Sequence, residues 1–395
     1  MISTESDSIS AYKRPYEPYI TGAVVYGMFF LPYLGTGIPA YIVALLFLAI
    51  NITRIKFKMV DVVLFAVLST WFVCKCMQSS MSSSVILLRY YFGFFIFYLF
   101  LNNLKFRIDF EKLLFWISVM VIVEAIAINT VISPKLLPNY PKNDIGDTFK
   151  TAILGFYQRP YSIGTNASNS STLLVMLLFC IENIKRRVGL KISNKLFAVS
   201  TLAVILLGSG VGYMLYLMFL IYKINPFKNA FRTALSCLSI FILYFLLFVQ
   251  NIGSSEGLEK ISSVYIGFLY DFKIGQIQDM IDAFGGSMYT WLIGQKFNDP
   301  SELIIWSDFA WENLLFCTGL IGLVFTIVSF IIKTNRYNFI PVIIFVLGAI
   351  HYGAMYALPG QLLLGYLFSE AYKTYLNEEV NFYTGNDMEL QSAVN

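Results

Sequence analysis

The sequence predicts an all-α polytopic membrane protein with about twelve transmembrane helices. Three observations predict it. Of 395 residues, 57% are hydrophobic and 13% charged, whereas soluble domains run near 45–50% and 25%. The apolar residues form continuous runs, not a two-residue alternation, so each crossing is a helix and not a barrel strand. The basic residues fall in short clusters between those runs, which is a topology signal and not a nucleic-acid surface.

The elements follow in order. Residues 1–18 are polar and form a cytoplasmic N-terminus, with no cleavable signal peptide evident. Apolar runs then span 19–35, 38–53, 59–76, 84–102, 112–133, 166–184, 195–208, 209–225, 231–250, 309–332, 338–351 and 353–372. The pairs 195–225 and 338–372 have a second reading, each as a single broken or re-entrant element. Together these make one membrane domain, 19–372, followed by a polar, acidic cytoplasmic tail, 373–395. With the N-terminus inside, the inside connections hold Lys13, Arg14, Arg54, Lys56, Lys58, Lys105, Arg107 and Lys112. Further along they hold Lys185 to Lys195, Lys223, Lys228, Arg232, Lys333, Arg336 and Lys373. The short outside connections 77–83 and 208–210 hold no Lys or Arg, and Lys75 is the one short-range exception. Two long polar stretches, 134–165 and 251–308, both emerge outside.

Known soluble-enzyme motifs are absent: no phosphate-binding P-loop, dinucleotide fingerprint, HExxH or G-x-S-x-G. One His, His351, excludes a multi-His metal site. All five Cys lie in or beside apolar segments and read as packed, reduced residues.

The candidate chemistry gathers outside. Arg159 stands just before a span, followed by Gly164 and Asn166. It reads either as a fork that clamps a phosphate or pyrophosphate or as a snorkelling interfacial cation. Lys135, Lys142 and Lys150 make that loop mildly attractive to anions. Leu206-Leu-Gly-Ser-Gly-Val-Gly-Tyr213 marks an outer hairpin whose glycines suit close approach of a ligand or of another helix. The second loop holds Lys260 and Lys273, and its stretch 257–283 spaces apolar residues as an amphipathic helix that lies on the membrane or roofs the site. Trp291-Leu-Ile-Gly294 and Trp306 read as interface anchors. Asp308 and Glu312 lie four apart at the next span, beside Asn313. They fit a base that takes a proton from a sugar hydroxyl, or first-turn acids favoured by the helix dipole. Within the spans, Arg89 and Glu124 are placed to pair.

As an ordered set these features resemble the bacterial O-antigen and capsule polysaccharide polymerases, the Wzy family, within the O-antigen ligase and polymerase superfamily. The carriers are Arg159…Gly164-Thr-Asn166, Leu206-Leu-Gly-Ser-Gly, Trp291-Leu-Ile-Gly294 and Asp308…Glu312-Asn313-Leu-Leu…Gly319-Leu-Ile-Gly322. The resemblance covers roughly 150–330 by motif. It implies an inner-membrane glycosyltransferase with both termini cytoplasmic and both long loops periplasmic. It implies en bloc transfer of a growing glycan from undecaprenyl pyrophosphate to a new lipid-linked repeat unit, with no metal or cofactor. Glu312, Asp308 and Arg159 then carry catalysis. Arg159, Asn166, Lys260, Lys273, Asn313 and His351 bind pyrophosphate or glycan. The partners implied are the lipid-linked glycan, membrane lipid and a chain-length regulator protein, with no nucleic acid. The family's second loop arginine is missing here, because 251–308 contains no Arg. A lipid-linked oligosaccharide flippase, an O-antigen ligase and a structural membrane scaffold are the competing readings.

Overall fold

Backbone in hydrocarbon must satisfy its own hydrogen bonds, so the apolar runs wind into helices. The computed structural model describes residues 17–31, 38–51, 57–102, 108–133, 157–164, 166–224, 275, 277–302, 310–349 and 353–378. Its helices are α1 (Glu17–Phe30), α2 (Ile38–Asn51), α3 (Met59–Gln78), α4 (Met81–Leu101), α5 (Phe110–Thr130), α6 (Ala167–Arg187), α7 (Asn194–Leu207) and α8 (Gly210–Ile224). There follow α9 (Met288–Ile293), α10 (Ala310–Lys333), α11 (Phe339–Gly348) and α12 (Leu358–Phe368). Each expected apolar run coincides with one of these except 231–250, which lies outside the described residues. Among the described residues five helices, α3, α4, α5, α6 and α10, are long and apolar enough to cross a membrane. The chain is therefore a helical membrane protein, with no strand among the described residues.

Side-chain caps fix where several helices start. Ser80 accepts from the Ser83 amide at 3.2 Å, Asp109 from Lys112 at 3.1 Å and Ser193 from Leu196 at 3.3 Å. Gly208, in the left-handed region at φ 60°, closes α7 and lets α8 begin two residues later. This is the hairpin expected at 206–213.

α6 is the central helix, buried continuously from Ala167 to Ile184. It packs against α5, α7, α8 and α11, while α4 packs against α12. α3 and α10 instead leave Val62, Val63, Phe65, Val324, Ile327 and Ile331 exposed. Such exposure is the expected face of a helix that meets lipid.

Charges collect at one end of the bundle. There Lys185 pairs with Glu111 at 2.6 Å, Arg186 with Glu182 at 2.8 Å and Lys58 with Glu370 at 2.9 Å. The Arg187 guanidinium donates to the Arg336 carbonyl at 3.1 Å. Deeper in, Lys333 of α10 pairs with Asp61 of α3, and both also bond the Tyr98 hydroxyl of α4. Arg186 also donates to the Tyr222 carbonyl of α8, so these contacts join the ends of α4, α6, α8 and α10 to the starts of α3 and α5, and one end is basic. The opposite end is the far end.

At the far end, α10 is broken. Gly319 takes φ 68° and ψ −172° inside the helix. The chain from Trp291 to Phe297 fills the break. The Gln295 amide donates to the Phe316 carbonyl at 2.8 Å, and Trp71 Nε1 donates to the Thr318 carbonyl at 2.9 Å. Gly294, at φ 92°, lies against the Cys317 carbonyl, and Gly319 against the Leu292 carbonyl. A Cβ on either glycine would strike backbone. The Trp291–Gly294 stretch is thus an insertion packed between α3 and α10, not only an interface anchor. In the amphipathic stretch, residues 277–284 are helical, with Met280 and Phe284 buried and Ile277 and Ile281 exposed. The rest of that stretch, through residue 274, lies outside the described residues, as does Trp306.

Candidate functional site

Arg159 lies in a short segment, 157–164, that runs across the far end of α5 and into α6. The segment ends in a 3-10 turn at Ser162–Gly164. Glu124 of α5, only 3% exposed, points its Oε1 at that turn. It accepts from the Tyr161 amide at 2.9 Å and the Ser162 amide at 3.2 Å. This oxygen is met by two backbone amides. A carboxylate in apolar surroundings takes the nearest good donors, and the turn supplies two of them. Ser170 of α6 donates to the Tyr161 carbonyl at 2.5 Å, and the Tyr157 hydroxyl to the Leu206 carbonyl of α7 at 2.7 Å. Burial pushes the Tyr157 hydroxyl up to about 12. It also raises Tyr161, against the lowering charge of Arg159. Tyr213 of α8 is within electrostatic reach of the same cation.

Asn166 caps α6, accepting from the Asn169 amide at 2.7 Å. The turn that follows is polar. Ser209 donates to Ser168 at 3.1 Å, and the Gly212 amide donates to Ser209 Oγ at 3.3 Å. Of the glycines of the outer hairpin, Gly208 caps α7 and Gly212 packs against Ser171 of α6. A cation, Arg159, and the N-terminus of a buried helix stand at the same end. Both favour an anion.

Glu312 and Asn313 lie in the first turn of α10, 5% and 8% exposed. Neither oxygen of Glu312 has a hydrogen-bond partner among the described residues. The Ala310 amide donates to the Ala349 carbonyl at 3.2 Å, and Gly348 packs on Thr172 of α6. Thr172 in turn donates to the Ser168 carbonyl at 2.9 Å. The start of α10, the end of α11 and the first turns of α6 thus share the far end. Asp308, His351, Lys260 and Lys273 lie outside the described residues.

Two polar side chains escaped the sequence reading. Lys75 is fully buried, donates to the Gln295 carbonyl and lies 5.2 Å from the Phe297 ring centroid. Its departure from the charge rule was the available signal. Gln361, 1% exposed, sets its Nε2 2.7–2.9 Å from the carbonyls of Arg89, Tyr90 and Tyr356. A lone amide in an apolar run marked it. Among the described residues no cluster of three His, Cys, Asp or Glu could hold a metal. A groove of about 450 Å³ between α1 and α5 is lined by Tyr26, Phe30, Trp116, Val119, Met120 and Val123, and it offers no charged group. No protein-family model, curated protein or solved structure matches the chain.

Proposed function

We propose that this protein is a polysaccharide polymerase of the periplasmic face of the inner membrane. It transfers a growing glycan en bloc from undecaprenyl pyrophosphate to a new lipid-linked repeat unit. The topology this requires is twelve spans, cytoplasmic termini and two large periplasmic loops, 134–165 and 251–308. The observation that carries the reading is the Arg159 segment, held against the N-terminus of the buried helix α6 at the end opposite the basic end. In this reading the acceptor hydroxyl oxygen attacks the anomeric carbon, and the bond from that carbon to the pyrophosphate oxygen breaks. Glu312 or Asp308 takes the hydroxyl proton. Arg159 meets the charge that appears on the leaving pyrophosphate, a preorganised electrostatic role. Asn166, Asn313, Lys260, Lys273 and His351 complete the proposed contacts with pyrophosphate and glycan.

A strain deleted for the gene tests it. The wild-type gene restores a ladder of long surface glycans, while Arg159→Ala at equal protein level leaves single repeat units. Arg159→Lys restores only part of the ladder, because an ammonium lacks the planar fork. A full ladder from Arg159→Ala removes Arg159 from the reaction.

One observation favours a second reading. The break in α10 at Gly319, filled by an inserted segment, is the kind of discontinuous helix found at transporter binding sites. A flippase for lipid-linked units would instead leave those units in the cytoplasmic leaflet when deleted.

A further inference from the structure

The backbone on both sides of Arg159 is held by side chains of one helix. Asn129, in the last turn of α5, makes both hydrogen bonds of one residue's backbone. Its Nδ2 donates to the Gln158 carbonyl, and its Oδ1 accepts from the Gln158 amide, each at 2.9 Å. The same Nδ2 donates to the Ala125 carbonyl at 2.8 Å, which fixes the amide against its own helix. Beyond Arg159, Glu124 accepts from Tyr161 and Ser162, and Ser170 closes on the Tyr161 carbonyl. Pro160 lies between, and a proline restricts the residue before it to extended backbone. Arg159 is therefore the residue between two clamps, with few backbone torsions left to it.

A carboxylate buried in an apolar helix is strongly unfavourable unless good donors surround it. The loop amides that meet Glu124 are such donors, so the helix and the loop depend on each other. A loop that needed only to cross the helix ends would not require a second clamp from Asn129. Asn129 is itself exposed, so its bonds to Gln158 contribute order and little burial. We infer that Asn129 and Glu124 are positioning residues for Arg159. They hold its backbone so that the guanidinium meets an anionic phosphate without first being ordered, which removes an entropic cost from binding. This inference rests on the reading of Arg159 as a pyrophosphate ligand.

The test uses the purified full-length protein in detergent micelles, with inorganic pyrophosphate as the probe. Affinity is measured by calorimetry and amide exchange over 157–164 by mass spectrometry. Arg159→Ala is expected to abolish binding and to leave exchange unchanged. Asn129→Ala, at an exposed position where no cavity forms, is expected to weaken binding about tenfold and to speed exchange in that segment. Glu124→Ala should do the same. Glu124→Gln should keep affinity within about twofold, since its Oε1 still accepts from both amides. If Glu124→Ala fails to fold, Asn129→Ala and Glu124→Gln still decide. Wild-type affinity or unchanged exchange in Asn129→Ala, with binding lost in Arg159→Ala, overturns the positioning role and leaves Arg159's role standing. Undiminished binding by Arg159→Ala overturns both.

Discussion

Lys333, Asp61 and Tyr98 show what a charge inside the bundle requires. Asp61 is fully buried, and its two oxygens lie 3.0 Å from the Tyr98 hydroxyl while Lys333 supplies the charge. Removing one partner strands the other in low dielectric, which costs about 3–5 kcal/mol. Lys333→Met should therefore lower stability in detergent by that amount, measured as loss of monodisperse protein on heating. The double variant Asp61→Asn with Lys333→Met should recover most of it, because no lone charge remains. Additive losses would mean that the two residues do not act as a pair. Lys75 differs, because the partner it meets, a backbone carbonyl, is neutral. At this scale the sequence located charges but not all of their partners. Glu124 is the clear case. Its place in an apolar run marked it, but which donors lie across the helix contact is a tertiary fact, and the amides of Tyr161 and Ser162 have no signature in the sequence.

Among elements, the broken helix α10 is the most consequential. Its carbonyls at 316 and 318, freed by the turn at Gly319, are satisfied by Gln295 and Trp71. Non-helical backbone at membrane depth survives only where protein covers it. The upper part of α10, which carries Glu312 and Asn313, is thus seated by a segment of the second long loop. Gly319→Ala should be destabilised by about 1–3 kcal/mol from backbone strain, and further by collision with the Leu292 carbonyl. Gly189 has a similar φ, 72°, and nothing lies within 4 Å of the place a Cβ would take there, so Gly189→Ala should lose only the strain. Equal thermal losses in the two variants would mean that the close approach of the two backbones contributes nothing. The sequence could not reveal this insertion. Trp291 to Gly294 looks like any interfacial anchor until its partner helix is in place.

For the whole molecule, continuous apolar runs made the helices legible, because each run must satisfy its own backbone. The basic clusters made one end legible, and the structure gathers them there through Lys185, Arg186, Lys58 and Lys333. The far end was legible only as a set of boundary residues. Arg159, Asn166, Glu312 and Asn313 were marked by where spans begin, and they share that end. The clamps around Arg159 and the burial of Glu312 depend on packing and were not visible. What the far end does is tested most directly by reconstitution. Purified protein in liposomes is supplied with polyprenyl-pyrophosphate-linked repeat units, and the glycans are resolved by size. The polymerase reading predicts a ladder of two and more repeats with free polyprenyl pyrophosphate released, and no ladder from Arg159→Ala. Units that stay single, or that cross the bilayer unchanged, would contradict it.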